Sequence, residues 1–298
     1  MRRGLVLLGV LLAVLFVAAA ALAAGAGQEV ERELAFTLDV EGFDAEVFVS
    51  NNDGDVSATL ILSRGAQVAY YSAPAKVTAE RVTARFGALG ELDYRFAPKR
   101  GTSVSCNGSE EGEAVFEGSF DFTGEKSYVH IEADRAAGSF QVYPEPKSCV
   151  ETRPARFARR AVPYSPSYSN KGATLHARAG SRASGTAREV NVFDPGEQRA
   201  HEVFFSAILV EKREGMVVAR GVQLSAASSA FRWDLKKGTA TLRPPAPFTG
   251  WAAFSGHGHH DRGVWRGSLG MPILGGGPVR LTGRHFRAYI HKGVPQDE

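Results

Sequence analysis

The chain has 298 residues, 44% hydrophobic and 22% charged, with a formal net charge of +3. That composition excludes a chain disordered throughout and leaves room for one large or two medium domains. The small total hides an asymmetry: residues 29–150 carry 11 Lys and Arg against 21 Asp and Glu, and residues 151–298 carry 22 against 11. Halves of opposite sign imply attraction between them, or one half turned toward an anionic surface.

Met1-Arg2-Arg3 precedes an apolar run over 4–24 that ends in Ala21-Leu22-Ala23 and Ala24-Gly25-Ala26. Positive charge, an apolar stretch and A-x-A sites in this order predict a signal peptide over 1–26. An uncleaved membrane anchor is the alternative, because the run approaches the ~20 residues of a membrane span. Both readings put the rest of the chain outside the cytoplasm, secreted or in the cell envelope. The two cysteines, Cys106 and Cys149, are expected to form one disulfide in that oxidising setting, with free thiols as the alternative. Asn107-Gly108-Ser109 fits an N-glycosylation site in a host that uses one.

Strand patterns follow at 34–40, 56–62, 77–86, 92–96, 116–122, 128–133 and 140–143. Leu92, Tyr94 and Phe96 alternate with Asp93 and Arg95; Phe116, Gly118, Phe120 and Phe122 alternate with Glu117, Ser119 and Asp121. Period two with one polar face predicts antiparallel sheet. Asn51, Asp53 and Asp55 around Gly54 read as a turn. They lack the helices and twelfth-position Glu of an EF-hand, where this chain has Leu62. Glu110-Glu111-Gly112-Glu113 reads as an acidic hairpin tip.

Residues 151–172 hold Pro154, Pro163 and Pro166 with Arg153, Arg156, Arg159 and Arg160. They read as a basic Pro/Tyr linker between an acidic β domain (27–150) and a basic β domain (173–293), with 294–298 as a tail. In the second half, hairpins are expected to turn at 211–215 and at Lys237-Gly238, with a third over 251–269. The expected fold class is all-β, with two antiparallel β-sandwich or β-barrel-like domains. A tandem duplication is a further expectation. "AVFEGSFDF" (114–122) matches "GVWRGSLGM" (263–271), placing Phe116 with Trp265, Gly118 with Gly267, Ser119 with Ser268 and Glu117 with Arg266. Upstream "LDYRFAP" falls against "ATLRPPAPF", and downstream "YVHIEA" against "VRLTG".

The densest ligand-type cluster is His257-Gly258-His259-His260-Asp261. On extended backbone His257, His259 and Asp261 share a side, so with His285 or His291 they could chelate a divalent transition metal such as zinc, copper or nickel. A solvated tip and a pH-sensitive charge cluster are the other readings. Trp233, Trp251 and Trp265 read as core aromatics, with a sugar platform or apolar cavity as the functional alternative. The chain shows no G-x-S-x-G, S-x-x-K, H-E-x-x-H or phosphate-binding loop. The expected function is therefore an exported, non-catalytic binding or interaction protein, its partner an anionic surface polymer or an apolar small molecule. A metal-binding protein using the 257–261 loop and a β-barrel carrier of an apolar ligand are the alternatives. Membrane contact is expected only through an uncleaved N-terminal segment.

Overall fold

A computed structural model describes residues 31–52, 55–78, 80–99, 103–104, 110–143, 168–181, 184–195, 202–213, 215–256, 262–282 and 286–295. The expectations for the N-terminal segment 1–26, Cys106, Cys149, Asn107, Asp53, His257, His259, His260, Asp261 and His285 lie outside the described residues. The described chain is mostly strand, with 3-10 turns and irregular connections between strands, and none of it is α-helix. It divides into two compact units: Met1–Leu62, Tyr70–Val150 and Arg213–Val217 form one, Ser63–Ala69, Glu151–Lys212 and Val218–Glu298 the other.

The first unit is built from β1 (Glu31–Val40), β2 (Phe43–Asn52), β3 (Asp55–Arg64), β4 (Gln67–Val77), β5 (Arg81–Arg85), β6 (Gly90–Pro98), β7 (Ser103–Val104), β8 (Glu110–Thr123) and β9 (His130–Tyr143), except that the β3–β4 hairpin end Ser63–Ala69 counts with the second. Neighbours in the ring β1-β2-β3-β4-β5-β6-β8-β9 pair, and β9 returns to β1 between Glu31↔Tyr143 and Thr37↔Ala137. The result is a closed eight-stranded antiparallel barrel. Between sandwich and barrel, this unit is a barrel. Strand β7 adds two residues to the edge of β8.

Alternation in the sequence fills its interior. Leu92, Tyr94 and Phe96 of β6 point inward with Phe116, Phe120 and Phe122 of β8 and Phe36 of β1, all at most 5% exposed. Phe36 and Phe116 lie 4.5 Å apart, Tyr71 and Phe122 4.9 Å, and Phe86 and Phe122 5.9 Å, centroid to centroid. Burying each such ring stabilises the unit by about 1.5–3 kcal/mol.

The second unit uses β10 (Tyr168–Ser181), β11 (Thr186–Asp194), β12 (Glu202–Arg213), β13 (Met216–Ala227), β14 (Phe231–Asp234), β15 (Thr239–Leu242), β16 (Thr249–Ser255), β17 (Arg262–Met271), β18 (Val279–Leu281) and β19 (Phe286–Pro295). Its antiparallel order is β12-β11-β10-β19-β17-β16-β15-β14, with β18 also beside β17. The core gathers Val190, Val192, Phe205, Phe254, Trp265 and Phe286. Trp265 stacks on Phe286 at 4.4 Å and meets Phe254 edge-on at 4.4 Å. Tyr168 and Ser169 already pair with Pro295 and Val294, so strand structure reaches into both the linker and tail segments.

The two units repeat a pairing register. Phe96, Tyr94 and Leu92 face Phe116, Gly118 and Phe120; Phe254, Ala252 and Gly250 face Trp265, Gly267 and Leu269. The counterpart of "LDYRFAP" is thus β16 rather than "ATLRPPAPF", which lies one strand earlier. "YVHIEA" and "VRLTG" do correspond, since Ala133 faces Phe120 as Leu281 faces Leu269.

Three local expectations change. The stretch 77–86 breaks at Thr78, whose hydroxyl accepts from the backbone N–H of Glu80 and Arg81 and turns β4 into β5. Residues 128–133 and 140–143 belong largely to one continuous strand, β9, bent by a register shift opposite Glu117 and Phe120. The acidic run 110–113 is no tip: it lies in β8, paired with β9 from Glu110↔Val142 to Glu113↔Ser139. Its glycine suggested a turn, but Glu111 and Glu113 simply occupy solvent-facing strand positions.

Candidate functional site

In the second unit, β14 to β19 send alternate residues into the core, and the residues between them form an outer wall. Phe231, Leu242, Ala252, Phe254, Trp265, Leu281, Phe286 and Ala288 are core members. Their chain neighbours Arg232, Arg243, Trp251, Arg266, Arg280 and Arg287 are exposed. Pairing fixes their positions: Arg232↔Thr241↔Ala253↔Arg266 is one row across four strands. At ~4.8 Å per strand its two arginines stand roughly 14 Å apart at the backbone. Trp251 faces Ser268, two residues along β17 from Arg266, and neighbours Ala252, whose partner Leu242 precedes Arg243.

The wall is electrostatically one-sided. None of the five arginines makes an ion pair among the described residues. The one carboxylate on these strands among the described residues is Asp234, which takes Lys237 Nζ at 3.1 Å and the Lys237 backbone N–H at 3.1 Å. Those hydrogen bonds from Lys237 hold its carboxyl below the ordinary carboxylate range.

The matching wall of the first unit pairs four of its basic side chains with carboxylates. Arg81 bonds both oxygens of Asp93, lowering the carboxyl's pKa chiefly through the side-chain hydrogen bond. Arg135 meets Glu117 at 2.9 Å, Arg85 meets Glu91 at 3.3 Å and Lys99 meets Glu113 at 2.9 Å. Beside the last pair the outer face of β1, β2 and β9 holds a pocket of about 530 Å³ lined by Ala35, Thr37, Glu46, Phe48, Ala137 and Ser139. Burial, with Asp44 nearby, raises the Glu46 carboxyl.

The three tryptophans separate. Trp265 is core, and Trp233 packs partly buried against the same cluster. Trp251 is 45% exposed on the wall. The signal was present in "WAAF": Trp251 and Phe254 are three apart, so on a strand they take opposite faces. Of the further metal donors, His291 lies on β19 with its ring 5.0 Å from Tyr289, which stacks at 5.2 Å on His176; the His176 ring bonds Asn191. No group of three or more His, Cys, Asp or Glu among the described residues could hold a metal ion. No helix of the described residues is long and apolar enough to cross a membrane.

Comparison with family models, curated proteins and solved structures gave no match to this chain.

Proposed function

We propose that the protein is an exported, non-catalytic binding protein that holds an anionic partner against the outer wall of its second unit. The observation that carries this reading is the set Arg232, Arg243, Arg266, Arg280 and Arg287: exposed on the outer side of the sheet, with no ion pair to any of them among the described residues. Exposed guanidinium groups on adjacent strands present repeated bidentate donors for carboxylate, sulfate or phosphate. The aromatic filling of the first barrel favours an outer surface over an interior as the place of binding.

The test is retention of the purified full chain on immobilised dextran sulfate across a salt gradient. Retention at low salt, falling steeply as salt rises, and lost in an Arg232→Glu/Arg266→Glu double variant supports the reading. No retention at low salt, or retention indifferent to the double variant, overturns it. Export rests on Met1-Arg2-Arg3 and the apolar run after it, and a Cys106–Cys149 disulfide accompanies that reading. N-terminal sequencing of the protein from its host tests the first, with a start near residue 27 expected for a cleaved signal. Thiol titration after denaturation tests the second, with no free thiol expected.

A further inference from the structure

Trp251 occupies the register position that Asp93 holds in the first unit. Asp93 faces Ser119 in the first unit as Trp251 faces Ser268 in the second, and Glu117 faces Arg95 as Arg266 faces Ala253. Asp93 is held by Arg81 and Glu117 by Arg135. At the two corresponding places the second unit carries a half-exposed indole and a guanidinium with no carboxylate partner among the described residues. In the first wall Asp93 and Glu117 are each held by an arginine; the second presents one exposed indole on a wall that carries arginines.

The indole is seated by the backbone beneath it. Gly267 has φ +93°, and a Cβ there would come within 3.1 Å of Trp251 Cε3, so the ring occupies space that any side chain at 267 would contest. Inside the sheet Trp265 donates its indole N–H to the Gly267 carbonyl at 3.1 Å, which fixes that segment. A held, exposed aromatic ring loses little conformational freedom on binding.

We infer that Trp251, flanked by Arg243 and Arg266, is the stacking platform of an acidic polysaccharide. One sugar ring lies against the indole, and anionic substituents of that sugar and its neighbours pair with the arginines. The inference rests on the anionic partner proposed above and names its chemistry. A single aromatic on a regular sheet suits one sugar ring among repeated charges. Single-stranded nucleic acid calls for successive aromatics to stack successive bases. A lipid surface is met by several apolar side chains that can insert, whereas Trp251 lies within a sheet with Arg243 and Arg266 at neighbouring register positions.

Binding of the full chain is measured to four probes at low salt: polygalacturonate, inorganic polyphosphate, single-stranded oligothymidylate and phosphatidylglycerol vesicles. Trp251→Ala is expected to weaken polygalacturonate binding by roughly tenfold or more, a loss of about 1.4 kcal/mol, and to leave polyphosphate binding within about twofold. Trp251→Phe keeps most of the polygalacturonate affinity, and Arg266→Glu weakens both polyanions. Equal binding of both polyanions, unchanged in Trp251→Ala, overturns the platform while the anionic reading stands. Failure of all four probes overturns the anionic reading and the platform with it. Oligothymidylate or vesicle binding that depends on Trp251 and exceeds polygalacturonate binding overturns the sugar assignment. Unchanged thermal unfolding of each variant separates these outcomes from misfolding.

Discussion

Trp265 donates its indole N–H to the carbonyl oxygen of Gly267, two residues along the same strand. The bond ties a core ring to the point where the outer wall carries Trp251. Gly267 is left-handed at φ +93°, and an added Cβ would press on the Trp251 carbonyl oxygen. Gly267→Ala is therefore expected to cost of order 2–4 kcal/mol, from backbone strain plus displacement of β16. Trp265→Phe keeps the aromatic core contact and loses the hydrogen bond, at about 1–2 kcal/mol. Urea unfolding of both variants checks the ranking, and a harmless Gly267→Ala would contradict it.

Phe116 is fully buried and touches rings from β1 and β6. Removing it leaves a void that the rigid barrel wall closes poorly. Phe116→Ala is expected to cost about 3–5 kcal/mol, read from a lowered denaturation midpoint with an unchanged slope.

Tyr94 is buried, and its hydroxyl donates to the Ala133 carbonyl at 2.9 Å. Burial, reinforced by Asp134, pushes the phenol up to about 12. Because the folded pKa exceeds the unfolded one near 10, the unfolded state loses its proton first as pH rises. Stability should be level below about pH 10 and fall from there toward pH 12. Tyr94→Phe removes this contribution, so melting temperatures of the variant should decline less steeply over that interval.

Two ion pairs should behave oppositely. Arg220 is buried and meets Glu211 at 2.8 Å, while one of its nitrogens reaches the Leu274 carbonyl at 3.4 Å. Glu211→Gln removes the charge opposite a desolvated guanidinium, with an expected cost of about 3 kcal/mol that salt barely alters. The Arg81–Asp93 pair lies open to solvent. Arg81→Gln should leave the unfolding midpoint unchanged within measurement error. A large effect of Arg81→Gln with a small one of Glu211→Gln would reverse the argument.

Much of the barrel was legible in the sequence because Leu92, Tyr94, Phe96, Phe116, Phe120 and Phe122 repeat at period two, and a wall wet on one side demands that pattern. The break at Thr78 was not legible, since "KVTAERVTARF" has no glycine, proline or asparagine; a hydroxyl accepting two backbone N–H groups makes the turn instead. The basic wall was legible only as net charge. Its arginines lie on, or for Arg243 just beyond, separate strands spread over 232–287, and adjacency arises from register, which the sequence of one strand does not state. Trp251 was grouped with the core tryptophans because composition favours burial of indoles, while its strand parity against Phe254 sends it outward.

Closure of the first barrel sets an order of events. Strand β1 finds β2 across a two-residue turn, but its other edge meets β9, with Glu31 opposite Tyr143. A chain that emerges from its N-terminus therefore keeps one edge of β1 unsatisfied until more than a hundred residues have followed. The loop that must close is long, so barrel completion is slow relative to hairpin formation. Until then the open edge can recruit any strand that offers itself. A cut between β8 and β9 would thus do more than shorten the protein: it would leave the edge of β1, paired with β9 in the intact barrel, as a template for aggregation.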